Sequence, residues 1–271
     1  MAPVSNSHRV IDRPRAEGRG RSSERRLVGK RAMAFVAALL CAIAGLLLVV
    51  FVGGPNSHAG VLGHIAERLG IESPSDLEKR RIEVRTFIIR SQLAQAKNPI
   101  VIIGDSITEA ALLPSSICGA DVVNAGIGGM TVGAYLPLAK QLLAGRRVRS
   151  IIVALGTNDA GTSSSSPIGS DYASLIDELS KHTSKILLAG LPPLEMGGAL
   201  ADRYFDSTSA DRNNAAIRSL AASKNLPFIN LRGAIHGDNR TVDGVHLTAD
   251  AYRQWREVVR RNIYSALGCV E

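Results

Sequence analysis

Beyond Pro99 the chain alternates short, almost continuous apolar runs with stretches long enough for helices. The runs cover residues 100–103, 122–124, 151–155, 186–189 and 228–231. A strand with one face in water alternates apolar and polar residues, so runs apolar throughout point to strands buried on both faces of a parallel sheet. Helix-like stretches at 131–144, 170–182 and 209–223 separate them, and a last one covers 248–267. This βαβ rhythm predicts a single doubly wound, three-layer α/β/α domain over residues 99–271 with a five-stranded parallel sheet. Right-handed crossovers then gather functional groups at the carboxyl ends of the strands. There is no internal repeat, and the serine run at 163–166 reads as a loop within the domain.

Charge divides the chain differently. The 271 residues carry a net charge of +8, but nine basic residues against three acidic ones in residues 1–31 supply six of those charges. The rest is nearly neutral, which excludes a nucleic-acid-binding fold with its own basic stripe. Immediately after the basic lead, residues 32–52 (AMAFVAALLCAIAGLLLVVFV) hold 21 residues without a charge or a proline. At helical rise they extend about 30 Å, the hydrocarbon thickness of a bilayer. A cleaved signal peptide has a shorter apolar stretch and a shorter lead, and Ser57-His58-Ala59 is a poor cleavage site. The run therefore reads as an uncleaved transmembrane signal anchor. Residues 1–31 are expected in the cytoplasm and everything after Val52 on the other side, periplasmic in a Gram-negative bacterium.

Residues 53–98 read as a juxtamembrane linker with helices. A short helix is expected at 59–70, and a longer one starts at the Ser73 cap with Pro74 in its first position and runs to about residue 96. Its Lys79, Arg80, Arg81, Arg85 and Arg90 either meet anionic headgroups or a partner, or form a solvated face.

Four segments meet at the sheet's carboxyl edge. They are Gly104-Asp105-Ser106-Ile107-Thr108, Asn124-Ala125-Gly126-Ile127-Gly128-Gly129, Gly156-Thr157-Asn158-Asp159 and Asp243-Gly244-Val245-His246, the last just before the final helix. Singly, each has a plain reading as helix cap or turn. Together they supply what acyl transfer needs. A hydroxyl requires an imidazole to take its proton, the imidazole requires a carboxylate to orient it, and the oxyanion requires fixed N–H donors. Of the other histidines only His236 competes, and it lacks a suitably spaced carboxylate. No G-x-S-x-G is present, which excludes the α/β-hydrolase elbow. Tyr252 and Trp255, at helical spacing with Val259 and Ile263, read as core.

The blocks GDSIT, NAGIGG, GTND and DGVH, in this order, resemble the SGNH hydrolases, or GDSL esterases/lipases, over about residues 99–267. The resemblance implies Ser106 as nucleophile, His246 as general base and Asp243 as its orienting partner. It implies an oxyanion hole from the Ser106 N–H, the Gly129 N–H and the Asn158 carboxamide, with Gly128 competing for the place of Gly129 in an adjacent register. It implies no metal or organic cofactor. The expected function is a membrane-anchored esterase acting on small acyl esters of cell-surface glycans. An O-acyltransferase with the same site, or a tethered glycan-binding module, are the alternatives.

The chain has three cysteines and no C-x-x-C pair, against a zinc site. Cys41 lies in the apolar run. Cys118 precedes the second strand and Cys269 follows the last helix, so the sheet order 2-1-3-4-5 of flavodoxin-like folds brings both to the end away from the site. They either form a disulfide or remain two buried thiols.

Overall fold

The central strand forms because every residue of Ile100–Gly104 (β1) is apolar and the chain has neighbours to cover both its faces. In the computed structural model, which describes residues 33–37, 40, 73–161 and 168–270, all five positions of β1 are buried. Two compact units are present, Met1–Leu77 and Glu78–Glu271. Within the first, residues 33–37 and 40 are helical, and the Ser73 hydroxyl accepts the Asp76 N–H at 3.2 Å, the cap expected there. Among the described residues no helix is long and apolar enough to cross a membrane. Most of the apolar run 32–52 and all of the helix expected at 59–70 lie outside the described residues.

The second unit is a three-layer α/β/α sandwich. In chain order it comprises α1 (Pro74–Gln95, entering the unit at Glu78), β1, α2 (Ser106–Glu109), β2 (Ser116–Ile117), β3 (Ala120–Gly126) and α3 (Val132–Leu143). Then come β4 (Ser150–Ala154), α4 (Ile168–Leu179), β5 (Ile186–Ala189), α5 (Ala199–Tyr204), α6 (Ser207–Ser223), β6 (Phe228–Ile229), α7 (Leu231–Ala234) and α8 (Ala249–Leu267). The strand order is β2-β3-β1-β4-β5-β6. The five strands β3-β1-β4-β5-β6 are parallel, with Ile100 beside Val122 on one side and Ser150 on the other.

The sheet differs from the expectation by one strand. β2 is a sixth, antiparallel edge strand of two residues, joined to β3 by a tight turn with Cys118 and Gly119 both at positive φ. That is the turn geometry whose twist suits a two-residue hairpin. A two-residue strand has no periodicity to read.

Side chains leave β1 alternately. Val101 and Ile103 enter a core with Tyr135, Tyr172 and Ile217, whereas Ile100 and Ile102 enter a second core with Trp255, Val259 and Ile263 of α8. Trp255, Tyr135 and Tyr172 are fully buried, and each such side chain stabilises the fold by about 1.5–3 kcal/mol relative to exposure. Ile89 and Leu93 of α1 belong to the first core. The compact unit begins at Glu78, and Ile89 and Leu93 tie α1 into its core. At the other end, Gly268 caps α8 in the left-handed conformation and turns the chain back, bringing Cys269 to disulfide distance from Cys118 with 6.0 Å between their Cα atoms.

Candidate active site

Asp105 follows β1 and caps α2, its Oδ1 accepting the Ile107 N–H at 3.0 Å. With the cap supplied by Asp105, the Ser106 hydroxyl is free to face another partner. That partner is His246, whose Nε2 lies 2.9 Å from Ser106 Oγ. The other ring nitrogen, Nδ1, lies 2.7 Å from Asp243 Oδ2. A carboxylate only accepts, so Nδ1 carries the proton and Nε2 is left to accept from the Ser106 O–H.

Asp243 also fixes the local backbone. Its Oδ1 accepts the Val245 N–H at 3.0 Å and the His246 N–H at 2.8 Å. Burial works against the charged Asp243 carboxylate, but the His246 ring and these two N–H donors outweigh it and hold its pKa below the usual carboxylate value. Asp243 therefore stays ionised beside the imidazole.

The loop carrying this pair is braced from outside. Glu195 accepts Arg240 Nε at 2.8 Å and the Arg240 N–H at 3.1 Å through Oε1, and the Thr241 N–H at 2.9 Å and hydroxyl at 2.6 Å through Oε2. Gly244, at φ +94°, packs so closely on Gly198 and Ala201 that a Cβ would fall 2.5 Å from the Ala201 Cβ. A side chain there would force Ala201 or the Glu195 carbonyl to shift, at a φ that L side chains rarely adopt.

Ser106, Gly129, Asn158 and His246 line one open cleft, together with Leu200 and Tyr204. Asn158 donates one N–H of its carboxamide to the Met130 carbonyl at 3.0 Å, which leaves the second for the cleft. Among the described residues, neither the Ser106 N–H nor the Gly129 N–H has an intramolecular acceptor. Ser106, Gly128, Gly129, Asn158 and His246 thus share this cleft, with Asp243 bonded to His246. His236 is elsewhere, its backbone bonded to Gln254.

A family model for GDSL-like lipases/acylhydrolases matches residues 102–254, more than half of the chain. The chain belongs to that family. As a GDSL-type, or SGNH, hydrolase it acts on esters. Solved structures share the fold. One from Streptococcus pneumonia, described as a platelet activating factor, is 22% identical with a TM-score of 0.61, over 74% of this chain and 99% of that one. A carbohydrate acetylesterase from Sinorhizobium meliloti is 18% identical with a TM-score of 0.52, over 62% of this chain and 99% of that one. An acetylxylan esterase from Geobacillus stearothermophilus, as a catalytic mutant, is 16% identical with a TM-score of 0.52, over 62% and 94%. No curated protein matches the chain.

Sequence reading missed the supports of this GDSL-type cleft. Glu109 accepts the Gly128 N–H at 2.6 Å, and its position three residues after Ser106, one helical turn on, was the available signal. Arg81 and Arg85 reach the glycine turn from α1 and bond to backbone carbonyls, which have no sequence signature. Asp105 and Asp159, behind the site, have their pKa values pushed up to about 6, in both cases chiefly by burial. No cluster of ligating side chains suited to a metal occurs among the described residues.

Proposed function

We propose that the protein is a membrane-anchored serine esterase that removes small acyl groups from cell-surface glycans. The observation carrying the mechanism is the continuous chain of contacts Ser106–His246–Asp243, at 2.9 and 2.7 Å. Ser106 Oγ attacks the acyl carbonyl while His246 Nε2 takes its proton, and Asp243 stabilises the resulting imidazolium. The oxyanion is met by the Ser106 N–H, the Gly129 N–H and the free N–H of Asn158. His246 returns the proton to the leaving alcohol, which departs and leaves Ser106 acylated. Water, deprotonated by His246, then attacks the acyl-enzyme, and His246 passes that proton to Ser106 Oγ as the acyl–oxygen bond breaks and the acid departs. The side chain of His246 is 33% exposed, which supports water as the acceptor.

The charged residues among those lining the cleft, Glu78, Arg81 and Glu109, support a hydrated, polar alcohol such as a sugar over a long lipid chain. Placement outside the cytoplasm rests on the uncharged run 32–52 and the basic lead before it. The deciding experiment offers p-nitrophenyl acetate, butyrate and octanoate to the full chain. The expected order of kcat/KM falls from acetate to octanoate. Failure to turn over any ester would overturn the esterase reading, and a preference for octanoate would overturn the small-acyl substrate.

A further inference from the structure

The Gly128–Gly129 peptide and the peptide before it are each held by a side chain. Its carbonyl, on Gly128, accepts Arg81 Nη2 at 2.5 Å. The preceding N–H, on Gly128 itself, donates to Glu109 Oε2 at 2.6 Å. Arg81 is fixed in turn by Glu78 at 2.7 and 3.0 Å and by Glu109 at 3.3 Å. One turn along α1, Arg85 holds the start of the same loop, donating to the Gly126 carbonyl at 2.8 Å and the Asn124 carbonyl at 2.9 Å. Both arginines precede the matched span 102–254.

A peptide between two glycines meets the least steric resistance to rotating over, and Gly129 already sits at φ +75°. Rotation would exchange the directions of the Gly128 oxygen and the Gly129 N–H. In a trans peptide the two point in opposite directions, and no peptide described is cis. A guanidinium on the oxygen therefore fixes the direction of the N–H, and by drawing charge toward the oxygen it makes that N–H a stronger donor.

We propose that Arg81 is a positioning residue for oxyanion stabilisation, pinning the Gly128–Gly129 peptide with the Gly129 N–H turned to the reacting carbonyl. This rests on the esterase reading above. The basic face of α1 then has a specific task at the site, carried by a helix outside the matched family span.

The test compares the full chain with its Arg81→Ala, Arg81→Lys and Arg90→Ala variants on p-nitrophenyl acetate. Arg90, further along α1, bonds to Gln141 of α3 at 3.0 Å and serves as the control. Arg81→Ala is expected to lower kcat by about 10–100-fold, less than removal of a donor outright. KM, the midpoint of the pH profile and the melting temperature should hold near wild type. Affinity for a trifluoromethyl ketone, whose hemiketal oxygen needs the same donors, should fall by the same factor as kcat/KM. Arg81→Lys should recover part of both losses, and Arg90→Ala should match wild type. Arg81→Ala with normal kcat overturns the proposal, as does a loss of kcat with unchanged affinity for the ketone. Ester turnover that survives Ser106→Ala is a different result. It overturns the esterase reading, and this proposal with it.

Discussion

Asp105 takes the Ile107 N–H, and in doing so leaves the hydroxyl of its neighbour Ser106 to His246. The three candidate triad residues should then fail unequally. Ser106→Ala and His246→Ala should each lower kcat by on the order of 10⁶, to background, while Asp243→Asn should cost on the order of 10⁴, since it orients the base without reacting. Asn158→Ala should cost on the order of 10²–10³ in kcat as one of three oxyanion donors. Steady-state kinetics with circular dichroism for the fold checks all four, and an Asp243→Asn variant as inactive as Ser106→Ala would contradict the orienting role. Asp105 itself is 2% exposed, with Oδ1 capping α2. Its pKa is raised from 3.8 to about 6, so the folded state binds a proton more tightly than the unfolded chain. Stability from this group is full below pH 4 and is lost as pH rises through 6, a loss of about 3 kcal/mol at one pKa unit per 1.36 kcal/mol. Asp105→Asn keeps the cap without the charge. Its melting temperature relative to wild type should rise between pH 4 and pH 7, and a constant offset would contradict the assignment.

The elements that carry the site differ in how far the sequence disclosed them. β1, β4 and β5 were legible because buried parallel strands are apolar at every position, and α8 because Tyr252, Trp255, Val259 and Ile263 repeat at helical spacing. β2 was not, since two residues make no pattern. Glu195 was also hidden, because its partners Arg240 and Thr241 lie 45 and 46 residues away and nothing local marks the pairing. Four hydrogen bonds on that one carboxylate lower its pKa to about 2 against the cost of burial. Its contribution to stability is therefore present above pH 4.5 and is lost as pH falls toward 2. Glu195→Ala should destabilise the protein by about 2–4 kcal/mol at pH 7, as expected for losing several bonds to one charged group. It should also lower kcat by loosening the loop of Asp243 and His246. Denaturant melts and kinetics on the same preparation check this, and an unchanged kcat would show that the loop holds its shape unaided. At the far end of the sheet Cys118 and Cys269 sit at disulfide distance, and we propose a bridge there that staples α8 to the β2–β3 turn. Titration of the denatured, unreduced chain should find one thiol, from Cys41. Three would contradict the bridge.

For the whole molecule, the charge and hydropathy of the first hundred residues separate into an apolar run that the described residues barely include and a helix, α1, that belongs to the catalytic unit. The family span begins at residue 102, so motif reading alone stops at β1. It cannot reach Arg81 and Arg85, whose targets are backbone oxygens 47, 41 and 39 residues further on. The topology proposal is open to a reporter that is active only outside the cytoplasm, fused after Glu271. It should be active, and an expressed but silent fusion would reverse the orientation. The central claim is that Ser106 carries the acyl group. Rapid mixing of the full chain with p-nitrophenyl acetate, followed by acid quench and peptide mass spectrometry, tests it directly. The account predicts a burst of p-nitrophenol and an acetyl group on the peptide containing Ser106, both lost in Ser106→Ala. Acetylation of another residue, or a burst that persists in Ser106→Ala, would contradict it.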